Sequence, residues 1–181
     1  GERRSHAVPT PRGGGIGIAV AGIAALLLLA ATDDTPTAWL AMAIGLSLVA
    51  GVGWWDDHRD LPAIPRLVVH VVAAALLAAG WWLPGAGPLV AVVAFLAALF
   101  LVNAWNFMDG IDGLATSQAM LCGVAFAVML PAPEGMVGVA LAAACLGFLP
   151  SNLPRARVFL GDVGSGTLGF LVAMLLAAGL S

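Results

Sequence analysis

The sequence predicts an all-α membrane protein, a polytopic bundle of transmembrane helices. Of its 181 residues, 61% are hydrophobic and only 9% are charged, and the mean hydropathy is +1.03. Soluble domains carry about 25% charged residues, so this shortage of charge excludes an ordinary soluble enzyme. The apolar residues also collect in long runs separated by short breaks, as expected of successive membrane spans.

Seven apolar runs of about 17–19 residues form the predicted spans. We place them at 14–32, 38–54, 66–83, 87–103, 114–131, 134–150 and 165–181. Three of the breaks are short turns built on Pro and Gly. The others, at 1–13, 55–65, 103–113 and 150–164, are longer and carry polar residues. No linker or repeat divides the chain, so residues 1–181 are expected to form a single integral-membrane domain.

The basic residues predict the orientation of these spans. All seven are arginines, and each lies in or beside a longer break. The short breaks carry Asp33, Asp34 and Glu134 instead. Because basic loops stay on the cytoplasmic side of a membrane, the longer breaks are predicted to face the cytoplasm. The alternation then makes odd-numbered spans run outward and even-numbered spans run inward.

The break NAWNFMDGIDG carries an oxygen-bearing side chain at every third position. These residues are Asn103, Asn106, Asp109 and Asp112. Residues three apart lie close together on a helix, so neighbours in this series are predicted to share a face. Carboxylates and amides at a membrane helix usually serve an ion or a polar substrate. The alternative is hydrogen bonding between membrane helices.

The break GWWDDHRD holds three close carboxylates. Asp56 and Asp57 are adjacent, and Asp60 falls on the face of Asp56 if the segment is helical. Such carboxylates repel one another unless a cation or a proton lies among them. The pattern indicates a base or an indirect magnesium site, or alternatively a solvated loop that stabilises the start of the next helix.

The break PSNLPRARVFLGDVGSG places Asp162 in a glycine-rich turn before an apolar helix. Gly161, Gly164 and Gly166 would let backbone amides approach an anion, which predicts a phosphate site. Ser165 either binds substrate there or serves as an ordinary N-cap.

Three glycines in PTPRGGG, residues 9–15, indicate close backbone packing or a ligand at the first span. His6, His58 and His70 are too scattered for a zinc site, and His70 is predicted to pack or pair within its helix. The polar breaks instead offer hard oxygen ligands, which suit Mg²⁺. Magnesium with arginines at a membrane face suits a diphosphate whose reaction partner lies in the lipid.

Four stretches carry a resemblance to a known family: SHAVPTPRGGG, DDHRDLPAIPRL, NAWNFMDGIDGLA and FLGDVGSGTLGF. In order and in membrane side they resemble motifs of the polyprenyl-phosphate N-acetylhexosamine-1-phosphate transferases. This family includes the phospho-MurNAc-pentapeptide translocase and the initiators of O-antigen and enterobacterial common antigen synthesis. The form VPTPRGGG is similar to that of the latter initiators, which favours GlcNAc as the sugar.

The resemblance implies a Mg²⁺-dependent reaction at the bacterial cytoplasmic membrane, with the active site facing the cytoplasm. An N-acetylhexosamine-1-phosphate passes from a UDP-sugar to undecaprenyl phosphate, UMP is released, and a cell-envelope glycan is started. The implied partners are UDP-N-acetylhexosamine, undecaprenyl phosphate and the bilayer, but not nucleic acid. The oligomeric state is open, with a homodimer as one option.

The resemblance also implies residue roles. Asp162 and Asn106 match the magnesium ligands. The predicted catalytic group consists of Asp56 and Asp57 beside the lipid phosphate, Asp109 and Asp112 on the nucleotide side, and Arg66 as a phosphate-neutralising cation. The predicted substrate contacts are Asn103, Asp60, Gly161, Gly164 and Ser165.

Members of the family have ten or eleven spans and a late histidine-rich cytoplasmic loop. The chain is therefore expected to be a fragment that lacks the first span, the C-terminal spans and that loop. Two alternatives remain open at this point. One is a truncated remnant that binds magnesium and lipid phosphate without turnover. The other is a divalent-cation transporter or channel, which span centres free of Asp, Glu and Arg disfavour.

Overall fold

The computed structural model describes residues 10–181, which form seven α-helices and no strand. The helices are α1 (Ile16–Thr32), α2 (Pro36–His58), α3 (Ala63–Trp82), α4 (Pro88–Met108), α5 (Leu114–Met129), α6 (Glu134–Asn152) and α7 (Gly161–Ala178). Five of them, all except α1 and α5, are long and apolar enough to cross a membrane. The prediction of an all-α membrane bundle is confirmed. Arg3, Arg4 and His6 lie outside the described residues.

The helices extend past the predicted spans at the polar end of the bundle. α2 continues to His58 instead of 54, α4 continues to Met108 instead of 103, and α7 begins at Gly161 instead of 165. Hydropathy reports where lipid contact ends, whereas a helix continues as long as its backbone hydrogen bonds do. Asp56, Asp57, Asn106 and Asp162, which were predicted in the breaks between spans, therefore stand on the last or first turns of helices.

α7 lies at the centre of the bundle, where it packs mainly against α2 and α4. Of its residues, only Asp162 and Leu176 are not buried. Glycines permit this burial, since a Cβ on Gly169 would lie 2.4 Å from the carbonyl oxygen of Leu101 in α4. Small residues let membrane helices approach closely. The central helix thereby brings Asp162 to the point where α2 and α4 end.

The segment before α1 is fastened to the residues that lead into α7. The N–H groups of Gly14 and Gly15 donate to the carbonyls of Phe159 and Leu160, at 3.0 and 2.9 Å. A Cβ on Gly15 would lie 2.1 Å from the Cα of Gly164. Of the two readings of PTPRGGG, close backbone packing is therefore confirmed.

The charged residues that the structure describes divide between the two ends of the bundle. Arginines lie before α1, between α2 and α3, in the first turn of α3 and between α6 and α7. Asp33, Asp34 and Glu134 lie at the opposite end, where Asp33 accepts bonds from Thr35 and Trp39 at the start of α2. This separation is the one the arginine pattern predicts, and which end faces the cytoplasm stays a prediction.

Candidate active site

Arg66 joins three helices at the polar end of the bundle. Its guanidinium, in the first turn of α3, pairs with Oδ2 of Asp56 at the end of α2. The same nitrogen lies 3.4 Å from Oδ2 of Asp162 in α7. The other oxygen of Asp56 accepts the N–H of Leu61 at 2.7 Å. One cation thus offsets part of the repulsion between two carboxylates that come from distant parts of the chain.

Asp57 caps the start of α7. Its two carboxylate oxygens accept the N–H groups of Asp162 and Val163, at 3.0 and 3.2 Å. A negative charge is favourable at a helix N-terminus. Gly161 has φ +77°, and a Cβ there would lie 2.6 Å from the Asp57 carboxylate, so only glycine fits. Two of the amides at the predicted phosphate site are therefore bonded to a side chain of the protein itself.

A first cavity of about 280 Å³ opens between α2, α3, α4 and α7. Its walls are mostly apolar, and its outer edge includes Ile64 and Leu67, whose side chains are 74% and 54% exposed. Its polar lining groups come from Arg66, His70, Asn103, Asn106, Asp162 and Ser165. The cavity therefore combines a set of polar groups with mostly apolar walls.

A second cavity of about 320 Å³ has a different character. It is lined by Arg12, Asp57, Asn106, Asp109, Gly110, Asp112, Phe159, Gly161 and Asp162. The two cavities share Asn106 and Asp162. These two residues, the predicted magnesium ligands, thus stand at the boundary between an apolar cavity and an acidic one.

Asp109 follows the last residue of α4 and faces the second cavity. Burial raises its pKa from the ordinary value of 3.8 to about 7. The negative charges of Asp57 and Asp112 add to this rise, whereas a hydrogen bond from the Gly161 backbone and the charge of Arg12 oppose it. Near neutral pH the Asp109 carboxyl is therefore close to half protonated, which suits a group that exchanges protons.

Asp112 is held by the connection between α6 and α7. Its Oδ2 accepts the N–H of Ala156 at 3.0 Å. Next to it the N–H of Gly113 donates to Oδ1 of Asn152, and Nδ2 of Asn152 donates to the carbonyl of Val158. Asn152 is only 3% exposed. This buried amide, which the sequence patterns did not single out, joins the segment after Asp112 to the segment before α7. Both segments lie beside residues that line the second cavity.

The four residues spaced three apart in NAWNFMDGIDG do not all line the same cavity. Asn103 and Asn106 lie on α4, but the helix ends at Met108, so Asp109 and Asp112 follow in a turn. Asn103 lines the first cavity, Asn106 lines both, and the two aspartates line the second. The shared helical face holds for the two asparagines and is wrong for the aspartates.

Other predicted residues lie differently from what the patterns indicated. α2 ends at His58, so Asp60 is not on the helical face of Asp56; it is exposed and lines neither cavity. Gly164 packs against Gly15. Ser165 lines the first cavity from within α7, so the N-cap alternative is wrong. Asp57 lines the second cavity, and its place beside the lipid phosphate stays a prediction.

Sequence patterns missed two cavity residues, Arg12 and His70. His70 lies one helical turn after Arg66 and lines the first cavity, where it had been predicted only to pack or pair. The signal for His70 was its spacing of four from Arg66. For Arg12 the only signal was its place before three glycines.

Comparison with known proteins agrees with the motifs. The family model described as glycosyl transferase family 4 matches residues 39–179. The chain belongs to glycosyl transferase family 4. It is 33% identical over 204 residues to the decaprenyl-phosphate N-acetylglucosaminephosphotransferase of Mycolicibacterium smegmatis, covering 94% of this chain and 50% of that protein.

Other known proteins are similar to the chain as well. The phospho-N-acetylmuramoyl-pentapeptide-transferase of Thermosynechococcus vestitus is 34% identical over 194 residues, covering 91% of this chain and 50% of that protein. The enzyme of the same name from Heliobacterium modesticaldum is 42% identical over 138 residues, covering 74% and 39%. The resemblance seen in the motifs is confirmed. The chain spans about half the length of the curated relatives it matches.

The donor set at the boundary of the two cavities fits magnesium in one particular way. Within residues 10–181, no group of three or more His, Cys, Asp or Glu side chains is arranged to hold a metal. Asp162 and Asn106 offer one carboxylate and one amide oxygen. Mg²⁺ commonly takes one or two carboxylates, several waters and substrate phosphates. The pair therefore fits an ion whose shell is completed by substrate.

Proposed function

We propose that this family 4 member transfers an N-acetylhexosamine-1-phosphate from a UDP-sugar to a polyprenyl phosphate and releases UMP. The observation that carries this proposal is the meeting of an apolar and an acidic cavity at Asn106 and Asp162. Phosphoryl transfer requires the attacking and leaving oxygens on opposite sides of the transferred phosphorus. The shared boundary of the two cavities supports the proposal, because two chemically different substrates could approach it from separate cavities.

The acceptor fits the first cavity. Ile64 and Leu67 form an exposed apolar edge along which a polyprenyl tail can lie in the bilayer. The phosphate head would then reach Arg66, which pairs with Asp56 and Asp162. Those pairs hold the guanidinium in place, so it can bind the head phosphate without losing further side-chain freedom.

The donor fits the second cavity, next to Asp109 and Asp112. We assign Asp162 and Asn106 as the residues that would hold Mg²⁺, between the two substrates. When bound there, the ion would neutralise charge on the transferred phosphate. Asp57 keeps α7 in register by bonding its first amides, and thereby positions Asp162 at the boundary.

The names of the relatives support a more specific choice of donor and acceptor. The mycobacterial relative is named for N-acetylglucosamine and decaprenyl phosphate. We therefore propose UDP-GlcNAc as the donor, with decaprenyl and undecaprenyl phosphate as the two acceptors to compare. The proposed location is the bacterial inner membrane with both cavities open to the cytoplasm, in agreement with the arginine distribution.

The decisive experiment measures UMP release from UDP-GlcNAc in detergent. We expect release only when both Mg²⁺ and a polyprenyl phosphate are present. Asp162→Asn should reduce turnover at least 100-fold, on the order expected for loss of a group that stabilises transition-state charge.

Asp33→Asn is the matched control. It makes the same chemical change at the opposite end of the bundle and keeps the oxygen that Thr35 and Trp39 bond. It should turn over at the wild-type rate. Wild-type turnover in Asp162→Asn, or UMP release that does not need lipid, would overturn the proposal. Binding of both substrates without any release would favour the non-catalytic alternative.

A further inference from the structure

Arg12 is held firmly by its backbone although its side chain is exposed. The carbonyl of Pro11 accepts the N–H of Phe159 at 2.9 Å, and the N–H of Gly14 donates back to the Phe159 carbonyl at 3.0 Å. Arg12 lies between these two bonds. The close contact of Gly15 with Gly164 fixes the same segment from its other side. The Arg12 side chain therefore projects from an ordered backbone at the mouth of the second cavity.

Within the described part of the chain, Arg12 is the one basic residue that lines the second cavity. Its guanidinium forms no ion pair there with a described residue. The acidic residues beside it are Asp57, Asp109, Asp112 and Asp162, and the first three of these already accept backbone N–H groups. The cavity thus combines four carboxylates with a cation that forms no ion pair with any described residue.

The contrast with Arg66 separates the tasks of the two arginines. Arg66 pairs with Asp56 and Asp162 through one nitrogen of its guanidinium and faces the apolar cavity. An anionic ligand that enters the acidic cavity meets only Arg12 as a fixed positive charge among the described residues. A guanidinium offers a planar fork of donors that matches two phosphate oxygens at once.

This inference rests on the proposed function. We infer that Arg12 binds the diphosphate of the nucleotide-sugar donor, and that it sets affinity for the donor without affecting the acceptor. The charge requirement is general: a diphosphate enters a cavity lined by four carboxylates only if cations offset the repulsion. Arg12 supplies that charge from the protein itself.

The test compares the binding of UDP and of uridine to Arg12→Gln, to Arg12→Lys and to the wild-type protein, with Mg²⁺ present. We expect Arg12→Gln to raise the Kd for UDP roughly 10- to 100-fold, the range for a lost hydrogen bond to a charged group. Uridine, which lacks the diphosphate, should bind unchanged. Arg12→Lys keeps the charge but loses the fork, so its UDP affinity should lie in between.

Arg59→Gln is the matched control, since Arg59 is exposed at the same end of the bundle and lines neither cavity. It should bind UDP as the wild type does. In turnover, Arg12→Gln should raise the KM for UDP-GlcNAc and leave the KM for the polyprenyl phosphate unchanged.

The outcomes separate this inference from the proposed function. Wild-type UDP affinity in Arg12→Gln, equal losses for UDP and uridine, or a raised acceptor KM alone would overturn the role of Arg12 while leaving the transferase intact. Arg12-dependent UDP binding without any UMP release would support the role and count against the transferase. A wild-type protein that does not bind UDP would overturn both.

Discussion

Several side chains at or beside the proposed site also hold the helices together. Asp57 bonds the first amides of α7, and Arg66 joins three helices. Asn152 links the connection between α4 and α5, next to Asp112, to the connection between α6 and α7. Each of these side chains makes at least one bond to a residue that is distant along the chain. The positions of the chemical groups therefore depend on the same contacts that hold the helices together.

Asp109 predicts a pH dependence of stability. Because its pKa is raised to about 7 in the folded protein, the folded state binds more protons than the unfolded state between about pH 4 and pH 7. The free energy of unfolding should therefore decrease as the pH rises through this window. Thermal unfolding in detergent with EDTA, measured from pH 5 to pH 8, tests this expectation.

Asp109→Asn supplies the comparison, because an amide does not titrate in this window. The variant should lose part of the decrease in stability between pH 5 and pH 7. An unchanged pH profile would mean that the folded Asp109 carboxyl ionises at its ordinary pKa. Asp60→Asn is a suitable control, since that carboxyl is exposed and lies outside both cavities.

Among the helices, α7 decides how the site is built. Nearly all of its own residues are buried, whichever face of the helix they lie on. Its first turn carries Asp162 between the ends of α2 and α4. A helix that is apolar all round is a buried helix. The sequence pattern predicted α7 as one span among seven, and its central place became visible only from the packing.

The close contact between α7 and α4 predicts the effect of a single methyl group. Gly169→Ala would place a Cβ 2.4 Å from the backbone oxygen of Leu101, which cannot move without shifting α4. We expect a loss of about 1–3 kcal/mol in stability, typical of overpacking. A shifted α4 would also displace Asn106, so turnover should fall. Unfolding and UMP release measure both effects.

Gly147→Ala is the matched control in α6, because a Cβ there would meet nothing within 4 Å. Alanine forms helix better than glycine by about 1 kcal/mol, so this variant should be as stable as the wild type or more stable. If Gly169→Ala were as stable as the wild type, this result would contradict the close packing of α7 against α4 at Gly169.

The whole molecule separates its charges between two ends. The arginine-bearing end holds both cavities of the proposed site, and the other end holds Asp33, Asp34 and Glu134 around a separate cavity. This separation of charge predicts the orientation of the protein in the membrane, because basic loops are retained on the cytoplasmic side.

Labelling of single cysteines tests that orientation. Asp60→Cys and Asp34→Cys introduce exposed thiols at opposite ends. A membrane-impermeant maleimide should label Asp34→Cys in intact spheroplasts and Asp60→Cys only in inside-out vesicles. The native Cys122 and Cys145 lie within helices, so the unaltered protein gives the background. The reverse labelling pattern would place the site on the outer face and contradict the proposed cytoplasmic donor.

Local patterns in the chain were enough to predict the membrane class, the seven helices, the polar end and the family. Each of these depends on the composition or order of residues within one short stretch, and hydrophobic runs report lipid contact directly. The order of the four motifs along the chain, which predicted the family, can likewise be read without knowing how the helices pack. Helix ends were less accurate, since the backbone continues past the lipid boundary.

Only the tertiary structure decided how the polar residues are shared. It set Asn106 and Asp162 between two cavities, turned Asp57 toward the amides of α7, left Asp60 outside and brought Arg12 to the acidic cavity. The Asp57 bonds alone span more than a hundred residues of chain. The physical reason is that spacing along one segment restricts only neighbours, whereas a site is made by helices whose packing depends on every other helix.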